Sequence, residues 1–85
     1  MPLDVILYTK TGCGLCAEAR ADLLDLARTY PLTIAEVDIT TDPALFTAFF
    51  DRIPVIDIGP QRLYAPVDHA ALKAALKRAA SEGTV

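Results

Sequence analysis

The amino-acid sequence predicts a single α/β domain in which a mixed four-stranded sheet carries helices on both faces. Apolar segments follow one another in the order β-α-β-α-β-β-α, no linker or low-complexity stretch divides the 85 residues, and 53% of the residues are hydrophobic, enough for one core. A β-α-β start requires a right-handed crossover between parallel strands, and the closing hairpin adds an antiparallel pair. The domain is expected to span residues 1–85.

The first half of the chain predicts a strand, a helix and a second strand. Residues 4–8, DVILY, are apolar and rich in β-branched and aromatic side chains, as is typical of a strand buried on both faces. Residues 13–30 have the period of an amphipathic helix, and Pro31 ends it. The apolar stripe of this helix contains Ala19, Leu23, Leu26, Ala27 and Tyr30. Residues 32–39 alternate between apolar and polar as a strand does.

The second half predicts a helix, a hairpin and a last helix. Asp42 is placed to cap a helix that starts with a proline. Its heavy apolar face would consist of Leu45, Phe46, Phe49 and Phe50. Residues 53–59 and 61–65 form two strands joined by a Gly-Pro turn, which indicates a hairpin. Asp68 caps the final helix, whose apolar stripe fades at Gly83.

Composition and charge exclude several classes of function. Eight Lys and Arg against eleven Asp and Glu give a net charge of -3 without a basic cluster, so we expect no nucleic-acid partner. No segment approaches the ~20 apolar residues of a membrane helix, and the short apolar run at the N-terminus has no positively charged leader. We therefore expect a cytoplasmic monomer with no membrane partner, in a compartment that keeps thiols reduced.

The segment TKTGCGLC, residues 9–16, holds both cysteines of the chain. Cys13 would sit at a helix N-terminus, where backbone amides and the helix dipole favour a thiolate and cysteine pKa values fall to about 3.5–7.5 from ~8.5. Cys16 lies about one turn further on, within reach of a disulfide. We expect an exposed Cys13 to be the attacking nucleophile and a more buried Cys16 to be the resolving thiol. Gly12 and Gly14 leave room for a substrate backbone.

Other uses of these residues stay open. Two cysteines in an Ala- and Leu-rich chain could be small core residues. A structural zinc site needs four ligands, and only His69 could add one. A metal or iron-sulfur cluster shared by two chains would complete the set, so a non-enzymatic binding or carrier module is the alternative function. Pro54 could simply end the preceding helix, or it could follow a cis peptide bond that turns the Ile53 backbone towards a peptide.

Three motifs together resemble those of a known family. YTKTGCGLC after a buried strand, RIPVI further on and LYAPVDHAAL before the last helix are similar to glutaredoxins, in particular to small glutaredoxin-like proteins of the thioredoxin superfamily. The likeness covers nearly the whole chain. It implies a thioredoxin fold and a thiol-disulfide oxidoreductase with a dithiol active site at Cys13 and Cys16. It also implies a cis-proline at Pro54, whose neighbour Ile53 pairs with the substrate backbone.

The resemblance implies further binding residues. Lys10 matches a lysine that helps the thiolate and meets a glutathione carboxylate, although a solvated loop lysine is equally compatible with the sequence. Asp68 matches an acidic cap that binds the γ-glutamyl amine of glutathione. The Gly14-Leu15 pair replaces the usual Pro-Tyr, and the apolar Leu15 beside the thiols suits docking to a protein partner.

Two departures from the family pattern affect these expectations. Ala65-Pro66 stands where glutaredoxins carry a Gly-Gly pair, so added side chains narrow the glutathione groove and one amide is lost. Leu7 stands in place of the buried carboxylate of thioredoxins. We expect the dithiol to act on protein or small-molecule disulfides without a bound cofactor. Glutathione or a thioredoxin-reductase-type donor would then restore the dithiol.

Overall fold

The computed structural model describes residues 2–82, and its order of elements is the predicted one. The elements are β1 (Leu3–Thr9), α1 (Gly14–Leu26), β2 (Leu32–Asp38), α2 (Pro43–Phe49), β3 (Val55–Ile58), β4 (Gln61–Tyr64) and α3 (His69–Glu82). A short 3-10 helix, Ile39–Thr41, joins β2 to α2. The predicted end of the last helix at Gly83 lies outside the described residues.

The four strands form one mixed sheet in the order β2-β1-β3-β4. β1 pairs parallel to β2 with Leu3 opposite Leu32, and antiparallel to β3 with Val5 opposite Ile58. β3 and β4 are the predicted antiparallel hairpin, and Gly59 in its turn has a φ of +56°, a conformation that favours glycine. The sheet therefore confirms the predicted fold class.

Apolar side chains pack against both faces of this sheet, as predicted. Val5 and Leu7 of β1 belong to the larger core under α1 and α3, whereas Tyr8 packs on the opposite face. The larger core consists of Val5, Leu7, Ala19, Leu23, Leu26, Ile56, Ile58, Leu72, Ala75, Leu76 and Ala79. The smaller core under α2 consists of Ile39, Phe49 and Val55.

α1 is shorter than predicted, because it ends at Leu26 and not at residue 30. The amides of Arg28 and Thr29 donate to carbonyls three residues back, on Asp25 and Leu26, which tightens the chain into a turn before Pro31. The apolar stripe nevertheless continues through this turn, because Tyr30 packs half-buried against the larger core. The periodicity therefore did not reveal the end of the helix.

α2 begins as predicted, but its apolar face is not buried as a whole. The carboxylate of Asp42 accepts the amide of Ala44 at 2.9 Å, and the proline is at the first helical position. Phe49 is only 6% exposed, whereas Phe46 and Phe50 are 41% and 54% exposed and stack on each other. The seven-residue helix therefore directs one phenylalanine into the core and leaves two at the surface.

β2 departs from the predicted alternation. Ala35 and Glu36 are both exposed, and Ile39, expected at the end of the strand, is fully buried in the 3-10 helix. Because β2 is an edge strand, it is less completely covered than the central strands, and its burial does not follow a strict period of two.

Candidate active site

The two cysteines form a disulfide bond where β1 passes into α1. Cys13 is the N-cap of α1 and Cys16 lies in its first turn, with 5.2 Å between their Cα atoms. The Sγ atom of Cys13 accepts the backbone amide of Cys16 at 3.1 Å. Cys16 is fully buried and Cys13 is half-buried, the difference in exposure that the sequence predicts. Cys13 is therefore the more accessible of the two cysteines from the surface.

A tight turn before the helix positions Cys13. The amide of Cys13 donates to the carbonyl of Lys10 at 3.3 Å, and Gly12 has a φ of +83°, which L side chains rarely adopt. A Cβ atom built on Gly14 would meet nothing within 4 Å. The space next to the disulfide is therefore open, as expected for the approach of a substrate backbone.

The side chain of Lys10 is exposed, and its charge acts on the carboxyl end of β2. The pKa of Asp38 is lowered, first by hydrogen bonds from the hydroxyl and amide of Thr40 and further by the positive charge of Lys10. Lys10 is not among the residues that line the groove described below. Its expected contact with the thiolate or with a glutathione carboxylate stays a prediction.

Pro54 is fully buried, and the Ile53-Pro54 peptide bond is cis. The amide of Ile53 donates to the carbonyl of Phe49 at 3.2 Å, while its carbonyl accepts no backbone hydrogen bond within the described chain. The resemblance implies that Ile53 pairs with a substrate backbone. In this structure the carbonyl is the group of Ile53 that is left to accept an amide from the substrate.

A groove of about 200 Å³ lies between α1, the start of β3 and the segment before α3. It is lined by Leu15, Glu18, Asp22, Pro54, Ala65, Pro66, Val67, Asp68 and His69. The groove thus brings together Leu15, Pro54 and Asp68, three predicted binding residues from distant parts of the sequence. Leu15 is 57% exposed.

Two lining residues, Glu18 and Asp22, were not predicted as site residues. The sequence placed them on the polar side of the amphipathic helix, which usually faces solvent. They follow Leu15 by three and seven residues, so all three side chains share one face of α1. That spacing was the signal available in the sequence, but it points to the groove only once Leu15 is known to lie there.

The segment before α3 contains a second cis peptide bond, Ala65-Pro66, which the sequence did not predict. The amide of Ala65 donates to the carbonyl of Arg52 at 3.3 Å. Because Pro66 carries no amide hydrogen, this segment offers the groove one donor fewer than a Gly-Gly pair would. A cis bond at this position has no signature in the sequence beyond the proline itself.

Asp68 and His69 connect the groove to the two helices beside it. One carboxylate oxygen of Asp68 accepts the amide of Ala71 at 2.8 Å, which confirms the predicted cap of α3. His69 Nε2 lies 2.9 Å from a carboxylate oxygen of Asp25 and so links α3 to α1. The second carboxylate oxygen of Asp68 has no hydrogen bond within the described residues, and its expected contact with glutathione stays a prediction.

A separate polar cluster lies on the α2 face of the sheet. Arg62 and the hydroxyl of Tyr8 both donate to the carboxylate of Asp57. The Arg62 hydrogen bond lowers the pKa of Asp57 against the opposing effect of burial, whereas burial and the Asp57 hydrogen bond raise the pKa of Tyr8. The guanidinium also stacks over the ring of Phe49, 5.2 Å from its centroid. These contacts join the strands and are not part of the disulfide groove.

Within residues 2–82, no three His, Cys, Asp or Glu side chains group as metal ligands would. None of the helices described there is long and apolar enough to cross a membrane.

The fold and the site together define a class of protein. The mixed β2-β1-β3-β4 sheet with helices on both faces is a thioredoxin fold. The cysteine pair at the start of α1 forms a disulfide, as in a redox-type site. The family described as Glutaredoxin-like domain (DUF836) matches residues 4–77, and the chain belongs to this family.

Three similar proteins illustrate how far the likeness extends. Uncharacterized protein Rv0508 of Mycobacterium tuberculosis is 30% identical over 81 residues, covering 88% of this chain and 84% of the relative. The X-ray structure of protein XcR50 from X. campestris is 33% identical, with a TM-score of 0.73, over 87% of this chain and 96% of its own. Thioredoxin 1 of Thermosipho africanus is 11% identical, with a TM-score of 0.75, over 96% of this chain and 99% of its own. This last likeness concerns the fold alone.

Proposed function

We propose that the protein is a thiol-disulfide oxidoreductase whose CGLC dithiol exchanges with protein or small-molecule disulfides. One observation carries the proposal: a disulfide at the N-terminus of α1 joins a half-buried Cys13 to a fully buried Cys16. That difference in access gives the two sulfurs distinct roles, because only one of them can meet a substrate in a mixed disulfide. The adjoining groove supplies a place for the substrate chain.

The reaction begins with the reduced protein. The Cys13 thiolate attacks one sulfur of the substrate disulfide, forms a mixed disulfide and expels the other sulfur as a thiolate. Cys16 loses its proton and attacks Sγ of Cys13, which forms the Cys13–Cys16 bond and releases the second substrate sulfur. Two electrons pass from the dithiol to the substrate, and the two substrate thiolates take up two protons in total.

The geometry around Cys13 favours the first step. The amide of Cys16, at 3.1 Å from Sγ of Cys13, donates to the sulfur that must carry the negative charge. The dipole of α1, with Cys13 at its N-cap, favours the same charge. Both effects stabilise the thiolate as the attacking species, and as the leaving group when the disulfide is reduced again.

The donor that restores the dithiol completes the proposed cycle. Thiol-disulfide exchange requires no bound cofactor, so glutathione or a thioredoxin-reductase-type donor is sufficient to reduce the Cys13–Cys16 bond. The protein would then transfer electrons between dithiol couples as a cytoplasmic monomer and contribute to cell redox homeostasis.

Equilibration with defined redox couples tests this proposal. The natural protein, Cys16→Ser and Cys13→Ser are each incubated with dithiothreitol couples and with glutathione couples, and thiols are then trapped and counted by mass spectrometry. The natural protein should interconvert between dithiol and disulfide. Cys16→Ser should accumulate a mixed disulfide at Cys13, because the resolving thiol is missing.

Cys13→Ser is the matched control, since it removes a sulfur of the same pair but leaves only the buried one. It should form no mixed disulfide at an appreciable rate. Equal reactivity of the two serine variants would contradict the assigned roles. Visible absorbance of an iron-sulfur cluster in freshly purified protein would contradict the enzyme proposal and favour a carrier module.

A further inference from the structure

Apolar side chains and carboxylates line the groove next to the disulfide. Leu15, Pro54 and Val67 contribute apolar surface, and Glu18, Asp22 and Asp68 contribute carboxylates. A groove of this composition beside a reactive sulfur can hold an extended chain on its apolar part while the carboxylates select its charge.

The carboxylates of Glu18 and Asp22 form no hydrogen bond or ion pair with any described residue. Neither takes part in the ion pairs that the described chain contains, which join Arg20 to Glu36, Arg62 to Asp57 and His69 to Asp25. Arg20 lies between the two residues in the sequence, yet it reaches across to β2. The groove therefore holds two carboxylates that have no ion-pair partner among the described residues.

The positions of Glu18 and Asp22 on α1 bring two negative charges close together without a cationic partner. Glu18 and Asp22 are four residues apart on one helix face, a spacing at which like charges repel and destabilise the helix. Asp68 adds a third carboxylate on the other side of the groove and uses only one of its oxygens for the cap of α3. His69, the lining residue that could carry a positive charge, is already paired with Asp25.

We propose that the groove selects a substrate polypeptide with lysine or arginine next to the reactive cysteine. The cationic side chain would lie against Glu18 and Asp22, and the apolar part of the substrate against Leu15 and Pro54. The same carboxylates repel anionic ligands, so glutathione disulfide, which carries net negative charge, should react more slowly than a cationic peptide disulfide. This inference rests on the proposed function and names the chemistry of its substrate.

Two peptide disulfides of opposite charge test the preference. Each is a symmetric dimer of a short blocked peptide in which lysine, or glutamate, flanks a single cysteine. The reduced protein is mixed with either dimer, and the reaction is stopped by thiol trapping and read by mass spectrometry. Each rate is divided by the rate at which dithiothreitol, a neutral reductant, reduces the same peptide dimer. This removes intrinsic differences in reactivity between the two peptides. At low salt the lysine peptide should react about tenfold faster than the glutamate peptide.

Three variants locate the effect in the groove. The measured quantity is the normalised rate for the lysine peptide divided by that for the glutamate peptide. The double variant Glu18→Gln with Asp22→Asn should bring this ratio close to one, and Asp22→Asn alone should reduce it. Asp4→Asn removes a charge from an exposed position on β1 that does not line the groove, and it should leave the ratio unchanged. High salt should lower the ratio for the natural protein, because exposed charges are screened.

The outcomes separate this inference from the proposed function. If both peptides are reduced at equal normalised rates, the charge preference is wrong and the oxidoreductase proposal stands. If Asp4→Asn lowers the ratio as much as Asp22→Asn, the effect comes from net charge, which also overturns the inference. If neither peptide nor any other disulfide oxidises the dithiol, both proposals fail together.

Discussion

Asp57 is a largely buried carboxylate in β3 that contacts two other strands of the sheet. Arg62 of β4 donates to it through Nε at 2.6 Å and through a second nitrogen at 2.9 Å, and the hydroxyl of Tyr8 in β1 donates at 3.0 Å. The Arg62 hydrogen bond is the main reason that the pKa of Asp57 is lowered in the folded protein. The charged carboxylate is therefore the form that the fold stabilises.

This lowered pKa predicts how stability depends on pH. A carboxyl whose folded-state pKa lies below its unfolded value contributes fully above the unfolded value, about 4 for aspartate, and its contribution is lost as the pH falls through the folded-state pKa. Asp57→Asn should be less stable than the natural protein at neutral pH and should lose less stability on acidification. Urea unfolding at a series of pH values measures both effects.

Asp4→Asn is a suitable control, because Asp4 is exposed and lies on the same sheet. Its stability should follow the pH dependence of the natural protein. If Asp57→Asn and the natural protein lost stability in parallel between neutral pH and pH ~3, the charge of Asp57 would have no part in holding the strands together.

The sequence reveals part of this cluster. Asp57 and Arg62 flank a hairpin turn, so the predicted hairpin already makes them cross-strand neighbours, and the structure pairs them directly. The contribution of Tyr8 could not be predicted in the same way. It depends on the register of β1 against β3, which is set by long-range packing of Val5 and Leu7 against Ile58 and Ile56.

Among the elements, the short helix α2 depends on its N-cap residue, Asp42. It contains only seven residues, and the carboxylate of Asp42 satisfies one of its free amides, that of Ala44. Asp42→Ala should lower the free energy of unfolding by about 1 kcal/mol, which corresponds to a fall in Tm of about 4–8 °C for a domain of this size. Thermal unfolding followed by circular dichroism is the measurement.

Asp42→Asn separates the cap from the charge, since an asparagine side chain accepts the same amide hydrogen bond. It should keep the Tm within about 2 °C of the natural protein. A loss as large as that of Asp42→Ala would show that the negative charge near the helix N-terminus, and not the hydrogen bond, stabilises α2.

The elements were predictable in order and type but not in all their limits. Periodicity and the Asp42-Pro43 start signal identify the helices, because both depend on local chemistry. The end of α1 was missed because Tyr30 continues the apolar stripe from a turn. The exposure of Phe46 and Phe50 was missed because it depends on how much of α2 the sheet can cover, which no local pattern reports.

For the molecule as a whole, the parts of the candidate site that depend on local sequence were predicted, and the parts that depend on packing were not. Cys13 and Cys16 were evident from their spacing and position after a strand, and the family resemblance added Pro54 and Asp68. Glu18 was not predicted as a site residue, because a charged residue off the apolar stripe normally faces solvent. Only the packing of α1 beside the segment before α3 turns that face into one wall of a groove.

The two faces of the sheet differ in how much core they hold, and this predicts where the molecule opens first. α1 and α3 cover the larger core, whereas α2 is held by the three buried side chains Ile39, Phe49 and Val55. Local opening requires less free energy where fewer apolar contacts are lost. The amide of Phe50, bonded to Phe46 at the end of α2, should therefore exchange with solvent sooner than those in the middle of the long helices.

Hydrogen exchange on the oxidised protein tests this prediction residue by residue. Amides of Leu23 and Leu76, in the larger core, should exchange at least about tenfold more slowly than that of Phe50, a difference of about 1.4 kcal/mol in opening free energy. Leu7, in a central strand, is the reference for global unfolding. If Phe50 were as protected as Leu7, α2 would open only with the whole domain, and the smaller core would be as cohesive as the larger one.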